Sequence, residues 1–351
     1  MNKLITGIMC SILISSSTIM QAQEKEKESA LNAHQRSMAA IVSLTAVGDL
    51  QKLKTELNTG LDVGLTINEI KEALVQLYAY AGFPRSLNGV GTLMAVVEDR
   101  KLKGLKSVEG KAGAITESAA NKYERGRLTL QELTKTPQSK PAPGFGEFAP
   151  RIDAFLKEHL FADVFDNDVL NHRQREFITI SILAAMPGVI SQLQSHVAMG
   201  RNTGITHAQL GELADVIENK ISRQQANELR VIIGSPVIPL IDADMMVRIS
   251  EIEILPEHLE EYTAILKEEA LASVLIEPGV ISIFPMSIKD KPNHIRIVEI
   301  YKNQAAYKSH IASPHFQHYK TTTLKMVKDL KLVDMNVLDP ETMDEVFRKL
   351  Q

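Results

Sequence analysis

The sequence predicts a two-part chain: a pair of all-helical repeats, followed by a smaller α+β unit. Two observations carry this. The segment Leu53–Glu72 returns without a gap, 140 positions later, as Leu193–Glu212. Leu53/Leu193, Gly60/Gly200, Gly64/Gly204, Thr66/Thr206 and Glu72/Glu212 are identical, while Leu57/Val197, Leu65/Ile205 and Ile70/Leu210 are conservative matches. Past the Pro-containing stretch Gly234–Pro239, the hydrophobic period changes from the three-and-four spacing of helices to the two of strands. A repeat of this kind means two copies of one helical unit whose apolar faces bury against each other.

The first 22 residues read as a leader. Met1-Asn2-Lys3 is a short basic start, Leu4–Ile19 is apolar and hydroxylic, and Met20-Gln21-Ala22 offers a cleavage site before the charged run Glu24–Glu28. The apolar run is short of the about 20 residues a bilayer requires, so no stable membrane insertion is expected after cleavage. The expected location is periplasmic or secreted. The one cysteine, Cys10, lies inside the leader, so the mature chain would hold no disulfide, thiolate nucleophile or thiolate metal ligand. A net charge of −4 with no Lys/Arg cluster argues against nucleic acid as a partner. At 351 residues the chain exceeds a single ordinary core.

From residue 29 to 103 the pattern is helical. Ala39/Val42/Leu44 and then Leu50/Leu53/Leu57/Leu61 recur at helical steps. Thr66 with Glu69 forms a capping box opening a helix over Ile67–Tyr80. Gly82-Phe83-Pro84 breaks that helix, and Pro84 suits the first turn of the next, which is expected to turn Leu87, Val90, Leu93, Met94 and Val97 inward. Residues 104–150 read as a linker with at most a short helix near Leu128–Leu133, because Gly104, Gly110, Gly113 and the Thr136–Gly144 run break any longer period. The second repeat occupies 151–225, with apolar steps at Ile152/Phe155/Leu156/Leu160, through Phe177–Met186, and in a helix opened by Thr206. A second linker covers 226–244.

Residues 245–338 read as strand Met246–Ile254, helix Glu257–Leu271, strands Val280–Ile288 and His294–Tyr301, helix Gln304–Leu330 broken at Pro314, and strand Lys331–Leu338. The order βαββαβ is the ferredoxin-like split unit. A tail of 339–351 follows.

The block Leu77-Tyr78-Ala79-Tyr80-Ala81-Gly82-Phe83-Pro84-Arg85-Ser86-Leu87-Asn88 resembles the signature of the carboxymuconolactone decarboxylase family. So do Arg175–Ile180, Gln192–His196 and Gly200–Thr206. The resemblance covers about residues 34–220, in the two-copy form of that family. It implies an all-helical (AhpD-like) oligomeric domain with sites between helices, and an activity on lactones of aromatic catabolism. A peroxidase branch of that family uses a Cys-x-x-Cys pair, which here falls near Val189 and Gln192, so alkylhydroperoxidase chemistry is disfavoured. Glu176 and His196 match the family's acid and histidine; in the same register the first copy offers Arg36 and Glu56. That copy instead carries Tyr80, Arg85 and Asn88, so one site built from both copies is the economical reading.

The C-terminal unit resembles the antibiotic biosynthesis monooxygenase family, quinol-oxidising members included, through Glu299–Asn303, Ala306-Tyr307, His310 and Ser313–Phe316. That resemblance implies a dimeric α+β barrel, in which Glu299 and His310 are the positions to carry over.

His196 is read as a general acid/base tuned by Glu176, against the alternative of a hydrogen-bonded helix histidine. Arg85 could clamp a substrate carboxylate, with Tyr80 and Asn88 beside it, or else serve a surface ion pair. Glu56 is expected to pair with Lys52 on its own helix. Glu299, alternating with apolar neighbours, either faces a pocket or anchors a helix. His310, His315 and His318 have a spacing that could suit metal ligands, but Pro314 interrupts them and no acid sits in phase, so no metal is assigned. No cofactor is expected. The resulting expectation is an exported, homo-oligomeric, cofactor-independent enzyme acting on a small lactone, carboxylated or quinone-like metabolite. Its alternative is a non-catalytic ligand-binding or oligomeric scaffold.

Overall fold

The computed structural model describes residues 30–114, 121–240 and 244–338. The leader with Cys10 and the tail lie outside the described residues. The chain divides into two compact units, Met1–Ile238 and Pro239–Gln351. Among the described residues, no helix is long and apolar enough to cross a membrane.

The first unit is helical. In the first copy, α1 (Ala33–Val47) opens on a capping box of Asn32 and Gln35 and ends at Gly48 in the left-handed region, φ 79°. It is followed by α2 (Leu50–Asp62) and α3 (Ile67–Leu102). The expected Thr66–Glu69 box caps α3, and the chain kinks at Gly82 (φ 80°, ψ 161°) before Pro84 restarts the helix. The restart resets the phase. The buried face after the kink is Ser86/Gly89/Leu93/Val96/Arg100, a three-four-three-four spacing. Leu87 and Met94, expected inside, are therefore 63% and 67% exposed.

Within the expected 104–150 connection, residues 122–134 form more than the short helix read near Leu128–Leu133. A full helix, α4 (Lys122–Thr134), lies along a π-helix at Phe155–Val164 that continues from α5 (Pro150–Ala154). Leu133 joins Leu160, Phe161, Val164, Phe165 and Met199 in a small core of their own. Only Gly126 and Leu133 are buried on α4, so its contact leaves almost no apolar stripe in the sequence.

The second copy comprises α6 (His172–Ala185), α7 (Ile190–Asn202), α8 (His207–Lys220) and the added α9 (Arg223–Ile233). Its caps repeat those of the first: Asn171 with Gln174, and Thr206 with Gln209. Gly60 and Gly200 sit at equivalent close approaches. A Cβ added at Gly60 would stand 2.9 Å from Ile41 Cδ1, and one at Gly200 would stand 2.7 Å from Ile180 Cδ1. The two copies share their interior: Ile178 and Ile182 join the core of α1–α3, and Ala39 joins that of α6–α9.

The repeat is not in a single register. Thr66 and Thr206 are 140 positions apart, but the caps Asn32 and Asn171 are 139 apart, because the α6–α7 connection is longer than the α1–α2 turn. This corrects the reading of the first copy. Ser37, not Arg36, is the counterpart of Glu176, and Arg36 is the counterpart of Arg175.

The second unit is a four-stranded antiparallel sheet, order β2-β3-β1-β4, made of β1 (Met246–Ile254), β2 (Val280–Ile288), β3 (Lys291–Tyr301) and β4 (Val327–Met335). Helices α10 (Leu259–Ile276), α11 (Gln304–Ala312) and α12 (Pro314–Thr323) complete the ferredoxin-like fold. Tyr262 and Leu266 of α10 pack on Ile252, Ile254, Ile295 and Ile297.

Candidate functional site

The acid and the histidine read from the second copy meet. Glu176 on α6 is fully buried, and its Oε2 lies 2.8 Å from His196 Nδ1 on α7. Glu176 Oε1 has no hydrogen-bond partner among the described residues. A buried carboxylate so placed fixes the ring, engages Nδ1 and leaves Nε2 outside that bond.

The first copy supplies the third member. Tyr80 of α3 stands edge-on to the His196 ring, centroids 5.5 Å apart at 81°. Its hydroxyl is buried, and that burial, with the Glu176 charge second, pushes the phenol well above its ordinary range, so it stays protonated. Lys220 stands 140 positions after Tyr80, and it occupies the matching place in the other half. There Ser37 Oγ donates to Glu56 Oε1 at 3.2 Å, and Lys220 Nζ bonds Glu56 Oε2 at 2.7 Å. Each cluster thus takes two residues from one copy and one from the other. Only the cluster around Glu176 holds a histidine. Glu56 does not pair with Lys52, which bonds Asp49 at 3.0 Å.

His196 and Tyr80 line a cavity of about 1140 Å³. Its walls include Tyr78, Phe83, Phe155, Phe161 and Met199, and α4 with the π-helix covers it. Gln192, where the peroxidase branch would place a cysteine, is on the wall. Lys122, Lys157 and His159 bring positive or ionisable nitrogen to the same space. Lys157 is wholly buried and committed to Asp153 (2.8 Å), Tyr123 Oη (2.9 Å) and Ser139 O (2.9 Å). Lys122, paired to Asp163 at 2.8 Å, is half exposed.

Arg85 and Asn88 do not line this cavity. Arg85 Nη1 donates to Val47 O at 2.6 Å, closing the end of α1 and crossing the space beside Gly48. Asn88 is exposed. The kink at Gly82 separates them from Tyr80, a separation that a contiguous motif does not reveal. The residues missed from sequence, Lys122 and His159, sit on the covering segment, where no spacing ties them to His196.

In the second unit, Glu299 and His310 do not bond each other. Glu299 accepts from Ser250 Oγ on β1 and from Tyr301 Oη at 2.8 Å. His310 Nδ1 lies 2.9 Å from Glu277 Oε1. The Tyr301 ring lies 5.3 Å from that of His310, and its phenol is pushed up by burial and by Glu299. His318 is exposed and takes no part.

The sequence model of the carboxymuconolactone decarboxylase family matches residues 17–93 and 150–219, and that of antibiotic biosynthesis monooxygenases matches residues 245–322. A putative antibiotic biosynthesis monooxygenase from Bacteriodes thetaiotaomicron, solved as a crystal structure, is 53% identical over 28% of this chain and 93% of its own, with a TM-score of 0.28. Another, from Nitrosomonas europaea, is 20% identical over 28% and 96%, with a TM-score of 0.27. No curated protein matches the chain.

Proposed function

From a chain that belongs, over residues 245–322, to the antibiotic biosynthesis monooxygenase family and carries the carboxymuconolactone decarboxylase region over 17–93 and 150–219, we propose an exported enzyme whose helical unit transfers protons without a cofactor. The observation that supports this most is the Glu176–His196 pair at the wall of a large cavity. His196 Nε2 takes a proton from the substrate and returns it to the product. Glu176 offsets the charge on the imidazolium, and the Tyr80 ring holds the imidazole in place. The aromatic wall suits a small planar or ring-bearing metabolite: a lactone, an aromatic acid or a quinone-like compound. Lys122 and His159, rather than Arg85, would meet its carboxylate. Glu299 and His310 are each satisfied by partners of their own, so the proton chemistry is assigned to the helical unit.

A thermal-shift screen of aromatic acids, lactones and quinols on the mature protein would supply the substrate. His196→Gln keeps the fold, since Gln fills similar volume, and turnover falls by about 10²–10⁴. Adding Glu176→Gln costs less than the sum of the two changes, because paired groups act as a unit. Full activity in a stably folded His196→Gln protein overturns the assignment. Binding without turnover would favour the ligand-binding scaffold instead. Export predicts a secreted protein whose intact mass begins after Ala22; retention of Met1 contradicts it.

A further inference from the structure

Three donors converge in the second unit from places far apart in the chain. Glu277 ends α10, His310 lies in the last turn of α11, and His315 lies in the first turn of α12. Glu277 Oε1 is 2.9 Å from His310 Nδ1 and 2.7 Å from His315 Nε2. One ligand atom from each residue falls within 4.8 Å of the other two. The break at Pro314 makes this possible. On one straight helix, residues five apart diverge by about 140° around the axis, whereas here the two imidazole centroids are 6.4 Å apart.

We propose that Glu277, His310 and His315 form a binding site for one divalent first-row transition-metal ion. Two imidazoles and one carboxylate suit zinc, cobalt or ferrous iron, whereas calcium and magnesium prefer all-oxygen shells. The surroundings fit such a site as well as the donors do. When Nδ1 of His310 binds the metal, the ring stays neutral with its proton on Nε2. That nitrogen faces Oε1 of the buried Glu269 at 3.7 Å, longer than a hydrogen bond, while the same oxygen accepts from the Ser273 hydroxyl at 2.8 Å. A shift of under about 1 Å would bring this carboxyl into bonding range of the ring, where such a group orients a ligating histidine. His310 is 2% exposed, while Glu277 and His315 are partly exposed at 13% and 21%, so the remaining coordination positions open toward solvent. Ser313 Oγ, 3.1 Å from His315 Nε2, is at hand to bond a metal-held water. The site belongs to the second unit and does not depend on the function proposed for the first.

The test uses the full mature chain, without a histidine tag and stripped with a chelator. Co²⁺ titration followed by its visible d–d absorption, and Zn²⁺ titration by calorimetry, should each saturate at one equivalent. Glu277→Gln and His315→Gln should each weaken affinity at least tenfold. His318→Gln should leave it unchanged. Circular dichroism confirms that each variant is folded. No saturable binding by the wild-type chain, or binding unchanged in a folded Glu277→Gln/His315→Gln double variant, overturns the proposal.

Discussion

Arg36 and Arg175 hold equivalent positions in the two copies, and each reaches the glutamate of the other copy. Arg175 bonds Glu72 at 2.8 Å, Gln76 at 3.0 Å and Asn167 O at 2.7 Å, and its side chain is wholly buried. Arg36 meets Glu212 at 3.3 Å with 38% of its side chain exposed. Burial sets the difference between them. Arg175→Gln leaves Glu72 and the Asn167 carbonyl uncompensated inside, and should cost about 3–5 kcal/mol. Arg36→Gln loses a part-exposed pair and the bond to Leu31 O at 2.6 Å, and should cost less, about 1–2 kcal/mol. Urea denaturation of both variants checks this, and equal losses would contradict it. At this scale the sequence disclosed residue identity better than residue partnership. Glu176 and His196 were legible as a pair through the family resemblance, which marks both positions in one copy. Glu56 with Lys220, 164 positions apart, was not, since no local period links them.

Element by element, α4 is where local reading was weakest. Its closest approach to the π-helix is made by Gly126, where an added Cβ would stand 1.7 Å from the backbone oxygen of Lys157. A backbone atom cannot swing aside as a side-chain end can. Gly126→Ala should therefore destabilise the helical unit by about 1–3 kcal/mol or more and loosen the cover of the cavity. Gly91→Ala is the control: it lies on the exposed part of α3 with nothing within 4 Å, and should stabilise by up to about 1 kcal/mol through helix propensity. Thermal melts of the two should move in opposite directions, and a shift of the same sign in both would refute the contact. The capping boxes at Thr66 and the kink at Gly82 were readable because a few adjacent residues determine each of them. The facing of Leu87 and Met94 was not, because it depends on the helical phase set by that kink.

For the whole molecule, the second unit closes its own core around Ile252, Ile254, Tyr262, Leu266, Ile295 and Ile297. Exposed apolar residues remain on β2 and β4, among them Phe284 at 59%, Leu330 at 52% and Leu332 at 49%. Residues 245–338 expressed alone should fold and form a dimer that covers part of these strands. Circular dichroism showing an unfolded chain, or sedimentation showing a strict monomer at micromolar concentration, would count against this.

What the sequence determined by itself is whatever short-range physics encodes: the two helical copies, their caps, the change of period near residue 240 and the βαββαβ order. The tertiary structure decided the rest. It placed Tyr80 of one copy against His196 of the other, slipped the repeat by one residue between α1 and α2, and drew Glu277 to two histidines more than thirty positions away. These contacts arise from the packing of whole elements, and their geometry depends on loop lengths and helix phases that no local window contains.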